Sequence, residues 1–404
     1  MNNSSDNQNG SSQDSESNAM GLNRTANSSS NAAKRGNVRQ TERGGSGAAS
    51  MGKEEIGKWL DKMVNCNLFN GSWVRDDQHQ LPMYEPGSCP YIDEPFDCFR
   101  NGRRDNGYER YRWQPKACNI PRWNGKDMLQ LLRGKRLVYV GDSLNRNMWE
   151  SMICMLRDSA EDKSKVYEAS GRVEFRTEDS YSFLFTDYNC SVEFFQSPFL
   201  VQPWEVPDAN GTKKETLRLD LVERKGYYQE GSHIYDELNV FEAFRKAMTT
   251  WARWIDANVD PMKTLVLFRG YSASHFSGGR WNSGGQCDNE TEPIEDERFL
   301  SLDEYLPMLE MVERVLKGMK SPVFYLNITR MSDFRKDAHP SIYRKQNLTD
   351  EEKKSPLRFQ DCSHWCLPGV PDTWNEIVYM QLLMRQNQQK KWQQQLKTQP
   401  QSNP

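Results

Sequence analysis

A serine lies where a predicted strand gives way to a predicted helix, in the sequence Gly141-Asp142-Ser143-Leu144. In open α/β sheets, ligands bind at this rim, close to the free N–H groups of a helix N-terminus. Such donors suit the oxyanion of an acyl-transfer intermediate, so Ser143 is a candidate nucleophile. The alternative is that Asp142 or Ser143 is only an N-cap of the helix.

A serine nucleophile needs a base, and the base needs a carboxylate that orients it. The segment Asp361-Cys-Ser-His364-Trp-Cys366 offers both, because an Asp and a His three residues apart on a turn can meet. Two alternatives stay open for this segment. Cys362, His364 and Cys366 could bind a metal, which would require further ligands and reduced cysteines, or the segment could be a purely structural loop.

A third polar segment follows another predicted strand and runs from Phe268 to Cys287. Its two Gly pairs let the backbone approach a ligand closely. Arg269, His275 and Trp281 are candidates for binding a sugar or a uronate carboxylate. The alternative is a surface loop whose polar groups are satisfied.

The elements that must position these residues alternate between strands and helices. Short apolar runs predict buried strands, and apolar residues three or four apart predict amphipathic helices. The alternation indicates an α/β fold with a mostly parallel sheet covered on both faces. The predicted strands are 136–140, 188–195, 217–222, 264–268 and 322–328, with a hairpin over 171–185, and the predicted helices are 144–156, 238–255, 302–316 and 374–383.

The composition divides the 404 residues into four parts. Residues 1–58 lack aromatic side chains and are rich in Asn, Ser and Gly, so we expect them to be disordered. Residues 59–119 hold four cysteines with many Pro, Gly and Trp, typical of an irregular flap held by crosslinks. Residues 120–385 carry the α/β pattern. From Gln386 the chain is a Gln-rich tail without apolar periodicity. The two middle parts together, about 325 residues, suffice for one sizeable core.

The charge balance argues against a nucleic-acid partner, since 53 basic residues face 56 acidic ones for a net charge of −3. No run of apolar residues is long enough for a transmembrane helix, and the first residues do not have the pattern of a signal peptide. Nine cysteines and six N-x-S/T sequons within residues 59–385 nevertheless favour a lumenal, oxidising compartment. The sequons are at Asn70, Asn189, Asn210, Asn289, Asn327 and Asn347.

Several sequence motifs, taken in their order along the chain, resemble the plant trichome-birefringence-like family of cell-wall polysaccharide O-acetyltransferases. They are most similar to those of the founding branch of that family. The resemblance covers roughly residues 60–385. The motifs are CNLFNGSWV (66–74), ACNIPRW (117–123), GDSLNRNMWESM (141–152), FRGYSASHFSGGRWNSGGQC (268–287) and DCSHWCLPGVPDTWNEI (361–377). Members have a Cys-rich N-terminal module followed by a PC-esterase domain of the GDSL/SGNH type, a three-layer α/β/α fold.

The resemblance implies a triad in which Ser143 is the nucleophile, His364 the base and Asp361 its orienter. It implies acetyl transfer to a glycan hydroxyl through an acetyl-serine, with no bound metal or cofactor and with acetyl-CoA or a relayed acetyl group as donor. It also implies a Golgi-lumenal enzyme whose membrane attachment would need an anchor not found in this sequence. Our further candidates for oxyanion or substrate binding are Gly141, Asp142, Arg146, Asn147, Arg269, His275 and Trp281. By the same resemblance we expect the disulfides Cys66–Cys118, Cys89–Cys154, Cys98–Cys366 and Cys287–Cys362, with Cys190 free.

One segment departs from the family pattern. Members carry a hydrophobic strand, ending in a phrase like F-N-x-G-H-W-W, between the regions that match Leu217–Val222 and Tyr227–Gly231. Here only Glu223–Gly226 joins those regions. We therefore expect a strand in the middle of the sheet to be missing, which would leave its neighbours without backbone partners.

Three functions remain compatible with this sequence. The first is an O-acetyltransferase acting on pectin or a hemicellulose such as xylan. The second is a non-catalytic protein that binds and bridges esterified pectin, which the missing segment favours. The third is an acetylesterase, which differs from the first only in the hydroxyl that reaches the acyl-serine.

Overall fold

The structure is a computed structural model. It describes residues 53–76, 82–175, 180–197, 199–207, 213–218, 227–230, 233–234, 238–279, 285–347, 349–354 and 360–398. Side chains are described within these ranges except at 53–56, 202–237 and 397–398.

Helices and strands alternate along most of the described chain. The helices are α1 (Lys53–Met63), α2 (Gly125–Leu132), α3 (Ser143–Ser159), α4 (Val240–Asn258), α5 (Leu302–Lys317), α6 (Thr329–Asp333), α7 (Asp350–Lys354) and α8 (Val370–Thr398). The strands are β1 (Gly71–Arg75), β2 (Tyr111–Pro115), β3 (Arg136–Gly141), β4 (Val166–Glu168), β5 (Ser180–Phe185), β6 (Cys190–Gln196), β7 (Gln202–Pro207), β8 (Lys213–Arg218), β9 (Tyr227–Glu230), β10 (His233–Ile234), β11 (Val266–Arg269) and β12 (Val323–Leu326).

The strand that leads to Ser143 belongs to a four-stranded sheet with the order β3-β6-β5-β4. β3 is parallel to β6, while β5 is antiparallel to both β6 and β4. Helices α2, α3 and α8 pack together beside this sheet, and α3 contacts β3 and β6. The core between them is aromatic. Trp149 of α3 is fully buried and contacts the rings of Phe175, Tyr181, Phe183 and Phe194.

The strand that leads to Arg269 belongs to a separate parallel pair, β11 with β12. Helices α4 and α5 pack on each other beside this pair. Their joint core contains Met248, Met311 and Val312, and Trp251 contacts the ring of Phe268 at 5.1 Å.

No described strand lies between these two parallel pairs. β3 is therefore an edge strand of its sheet. In an α/β fold, the strands that lead to the ligand-binding rim normally lie near the centre of the sheet. The side chains on one face of β3 and β6 are correspondingly open to solvent. Val138 is 41% exposed, Val140 55% and Phe195 39%. This arrangement is the one expected if a central strand is missing.

The α/β fold class is confirmed, but strand pairing is more mixed than the predicted mostly parallel sheet. Three described pairs are parallel, β3–β6, β8–β9 and β11–β12, and the other pairs are antiparallel. Short hairpin connections such as those between β5 and β6 can join only antiparallel strands. The predicted strand at 217–222 corresponds in part to β8, and residues 219–226 lie outside the described part of the chain.

Parts of the two chain ends, which their composition set apart from the core, are helical where the structure describes them. Residues 53–58, assigned to the disordered segment, are helical in α1, and residues 386–398, assigned to the tail, continue α8. The two helices hold each other through polar groups. The Asn387 Nδ2 donates to the Gly57 carbonyl and to Asp61, and Lys391 pairs with Asp61. An apolar periodicity does not reveal such a contact, because its partners are polar and distant in sequence.

The cysteine-rich segment has more regular structure than a flap of loops. β1 and β2 pair antiparallel, and Trp73 meets Trp113 edge to face at 5.7 Å. The indole N–H of Trp73 donates to the Met331 carbonyl, which ties the segment to α6.

Candidate active site

Ser143 is the first residue of α3 and follows β3 after a single residue. Asp142 caps the helix, since its carboxylate accepts the N–H groups of Leu144 and Asn145 at 3.1 Å each. The N-cap alternative therefore applies to Asp142. The Ser143 side chain is exposed and makes a different contact.

Three side chains form a continuous hydrogen-bonded chain at this position. The Ser143 Oγ lies 2.7 Å from the Nε2 of His364, and the Nδ1 of His364 lies 2.7 Å from the Oδ2 of Asp361. Both distances are those of charge-assisted or strong neutral hydrogen bonds. The arrangement has the geometry of a nucleophile, its base and the carboxylate that orients the base.

Asp361 is ionised in this arrangement. Burial by itself would raise the pKa of its carboxyl, but the charge and hydrogen bonds of His364, with the N–H of Ser363, hold the pKa well below its ordinary value. A carboxylate at the His364 Nδ1 fixes the tautomer that leaves Nε2 free to accept a proton from Ser143.

The loop that carries Asp361 and His364 is held from several sides. The side-chain amide of Asn147 makes two hydrogen bonds to the Trp365 backbone. Its Oδ1 accepts from the Trp365 N–H, and its Nδ2 donates to the Trp365 carbonyl. Ser341 and Asp361 exchange backbone hydrogen bonds. Because Asn147 and Ser143 lie on one helix, nucleophile and base are positioned by the same element.

The four disulfides are the pairs that the resemblance implies, and Cys190 is buried and free. Cys287–Cys362 and Cys98–Cys366 end on the two sides of His364. The metal alternative for Cys362 and Cys366 is therefore wrong, because a cysteine in a disulfide has no thiolate to offer a metal.

Arg269 lies at the end of β11, beside the nucleophile. It links the β11–β12 pair to the residues that follow β3. Its guanidinium donates to the Oδ1 of Asn145 at 2.5 Å and to the Oδ1 of Asp142 at 3.1 Å. The Asn145 Nδ2 in turn donates to the Val140 carbonyl. Gly141 is required for this contact, since a Cβ there would lie 1.9 Å from Asn145 Nδ2. Asn145 is not among the predicted site residues, because its only sequence signal is its place in the first turn of α3.

Three predicted oxyanion or substrate groups are buried or largely buried and contact other partners. Arg146 lies over the Phe96 ring and pairs with Asp93 and Glu150. Asn147 is fully buried against Trp365, as described above. His275 faces His339 and Asp333. Their contacts within the described residues are with these partners, and sequence order does not show which way a side chain points. Trp281 lies outside the described residues.

The fold and the Ser–His–Asp geometry are those of an SGNH-like domain, and comparisons with known proteins agree. A family described as PC-Esterase, a GDSL/SGNH-like acyl-esterase family found in Pmr5 and Cas1p, matches residues 120–226 and 221–381. A PMR5 N-terminal domain matches residues 64–119. The chain belongs to the trichome birefringence-like family.

Curated relatives come from Arabidopsis thaliana. The chain is 58% identical to Protein trichome birefringence, over 83% of this chain and 59% of that protein. It is 57% identical to Protein trichome birefringence-like 1, over 83% of this chain and 65% of the relative. It is 49% identical to Protein trichome birefringence-like 4, over 80% of this chain and 76% of the relative. The chain thus spans about three fifths of the length of the first relative.

The comparisons agree with a shortened join. The two PC-Esterase matches overlap at residues 221–226, a range that includes Glu223–Gly226. The alignment with Protein trichome birefringence has 363 positions, but 83% of 404 residues is only about 335, so about 28 positions have no residue in this chain. That number is enough for a strand and part of a crossover.

Among the described residues, none of the helices has the length and apolar character needed to cross a bilayer.

Proposed function

We propose that this chain is an O-acetyltransferase that acetylates a hydroxyl of a plant cell-wall polysaccharide, pectin or a hemicellulose such as xylan, through an acetyl-Ser143 intermediate. The observation that carries the proposal is the hydrogen-bonded chain from Ser143 through His364 to Asp361 at the rim of the sheet. Family membership supports the acyl chemistry.

The geometry suits a two-step transfer. The Ser143 Oγ attacks the acetyl carbonyl of the donor while His364 Nε2 takes its proton. The bond from the acetyl carbon to the donor then breaks, and His364 returns the proton to the leaving group. In the second step a glycan hydroxyl attacks the acetyl-serine and gives its proton to His364. The bond from the acetyl carbon to Ser143 Oγ then breaks, and His364 returns the proton to Oγ, which leaves the ester on the glycan. Asp361 holds the imidazolium that forms in each step.

The donor supplies the acetyl group as a substrate, either acetyl-CoA or a relayed acetyl group. Two observations support a secretory or Golgi-lumenal location. Eight of the nine cysteines form disulfides, which persist in oxidising compartments. The sequon residues Asn70, Asn189, Asn289 and Asn347 are exposed, as glycosylation requires.

A second candidate is an acetylesterase, which the exposure of Ser143 favours. Water that reaches the acetyl-serine would compete with the glycan hydroxyl. The third possibility, a non-catalytic protein that bridges esterified pectin, draws support from the open edge at β3.

Intact-protein and peptide mass spectrometry with an acetyl donor separates the three. We expect one acetyl group on Ser143, removed on addition of pectin or xylan oligosaccharides that gain the acetyl ester. The Ser143→Ala variant is the control. Acetyl-Ser143 that decays equally fast with or without glycan indicates an esterase. A folded protein that never acquires the acetyl group but binds pectin contradicts the proposed enzyme.

A further inference from the structure

Two histidines outside the triad are stacked behind the catalytic loop. His339 is 2% exposed and lies flat on the Trp365 ring, with ring centroids 4.2 Å apart. Its Nδ1 is 2.6 Å from the backbone carbonyl oxygen of His364, the candidate base. Its Nε2 is 2.7 Å from the Nδ1 of His275.

His275 extends this row away from the site. Its Nε2 lies 2.9 Å from the backbone carbonyl oxygen of Asp333 and 3.6 Å from the Asp333 carboxylate. The Asp333 side chain is fully buried, and neither of its carboxylate oxygens has a hydrogen-bond partner among the described residues. A buried carboxylate without a partner is costly unless a positive charge is nearby.

The hydrogen bonds fix the number of protons on the two rings. A carbonyl oxygen only accepts, so His339 Nδ1 and His275 Nε2 must each carry a hydrogen. The contact between the rings needs one more. Three hydrogens on two imidazoles leave the pair with one positive charge, because two neutral rings hold only two.

We infer that His275 and His339 share one proton in a buried, positively charged pair, balanced by Asp333, that holds the His364 carbonyl and so positions the catalytic base. The inference rests on the proposed function for its catalytic consequence. His275 and His339 are positioning residues, since neither contacts Ser143.

Burial, and after it the charge of His275, hold the pKa of His339 well below its ordinary value. The other groups around the pair are already committed. Asp361 is ionised against His364, Arg103 donates to the His339 carbonyl, Arg335 pairs with Asp337, and burial raises the pKa of Tyr305, which keeps that phenol neutral.

Loss of the shared proton would break one of the three hydrogen bonds and leave Asp333 uncompensated. At one of these three contacts, a ring nitrogen would then present a lone pair to its partner atom instead of an N–H group. A small shift of the base is enough to slow catalysis, since misplacement by about 1 Å can cost about 100-fold in rate. Turnover is therefore expected to fall as pH rises through the pKa of the pair.

The direct test is NMR of the histidine ring nitrogens in the full chain, which distinguishes nitrogens with and without a hydrogen and needs no activity. We expect three of the four nitrogens to be protonated at mildly acidic pH, with the third hydrogen lost in a single step as pH rises. Two neutral rings throughout this range would overturn the inference and leave the proposed function intact.

Variants test the catalytic consequence. His275→Gln replaces the ring with a side-chain amide, which can still donate a hydrogen bond but does not titrate. The fall in turnover at high pH should therefore disappear in this variant. Asp333→Asn removes the balancing charge and should move that fall to lower pH. His275→Leu should lower kcat about 10- to 100-fold with KM little changed. Melting temperatures show whether each variant folds. A folded His275→Gln protein that keeps the wild-type fall at high pH would contradict the inference.

Discussion

At the scale of single residues, Ser143, Asp361 and His364 act as one unit, because each hydrogen bond fixes the protonation of the next. Replacing Ser143 or His364 with Ala should lower turnover about 10⁴-fold or more. The matched control is Ser363→Ala, since the Ser363 hydroxyl donates to Asp361 Oδ1, whereas the His364 ring contacts Oδ2. Steady-state acetyl transfer measures both. A folded Ser143→Ala protein with near-normal transfer would reject covalent catalysis.

A second residue-scale prediction concerns Asn147, whose amide makes both hydrogen bonds to the Trp365 backbone in a fully buried place. Asn147→Leu would leave a buried N–H and a buried carbonyl unpaired, at a cost of about 1–3 kcal/mol each. We expect a lower melting temperature together with lower turnover. Denaturant unfolding and acetyl transfer, measured on the same sample, check this. Unchanged stability would show that the loop is held by other contacts alone.

At the scale of elements, two disulfides flank the loop of the base, while Cys66–Cys118 lies in the N-terminal segment. The double variant Cys287→Ser/Cys362→Ser should lower turnover about tenfold or more while the sheet stays folded, because the loop loses one of its fixed ends. Cys66→Ser/Cys118→Ser is the matched control and should affect stability more than turnover. Far-UV circular dichroism and acetyl transfer separate the two effects. Equal losses of turnover would contradict the assigned role.

The join at Glu223–Gly226, between the predicted strand 217–222 and β9, is the second feature at this scale. Four residues reach at most about 14 Å, too little for a strand and its crossover, and β3 is an edge strand with exposed valines. Inserting the relatives' segment at residues 222–227 should raise the melting temperature and raise transfer about 10²-fold, the typical value of one oxyanion donor. A Gly/Ser insert of equal length is the control. Equal behaviour of all three proteins would show that the segment is dispensable.

At the scale of the whole molecule, stability should depend on three buried carboxyl groups. Burial raises the pKa of Asp372, Glu376 and Glu109 to about 7. Their folded pKa is above the unfolded value, so this stability is complete below about pH 4 and is lost as pH rises to about 7. The slope is about 1.4 kcal/mol per pH unit for each group. Asp361 acts in the opposite sense, because its pKa is lowered, and its contribution is lost in acid.

Asp372→Asn isolates this effect, since the amide resembles the protonated carboxyl that accepts from Gly369 and meets Ser151 at 2.5 Å. The difference in unfolding free energy between variant and wild type should shift in favour of the variant as pH rises from 5 to 7. Urea unfolding at both pH values measures it, with the exposed Asp350→Asn as control. A difference that does not vary with pH would contradict a raised pKa at Asp372.

Local sequence was sufficient for the elements whose signal is local. The apolar run before Gly141 marks β3, the spacing after Ser143 marks α3, and α4, α5 and β12 lie close to their predicted bounds. The order of motifs also indicated the triad residues, because their chemistry depends on residue type. The short join at Glu223–Gly226 indicated a missing strand, since chain length limits what can fit between two elements.

Only the tertiary structure decided which polar side chains reach the site and which support it. Asn147, Arg146 and His275 are polar and lie within the motifs, yet each is largely buried and contacts a partner far along the chain. His339 has no motif around it, although it contacts the loop of the base. The polar contact between α1 and α8 likewise has no local sequence pattern that would predict it. Residue type and spacing determine local conformation and the chemistry available, whereas burial, side-chain direction and long-range hydrogen bonds exist only once distant segments have packed.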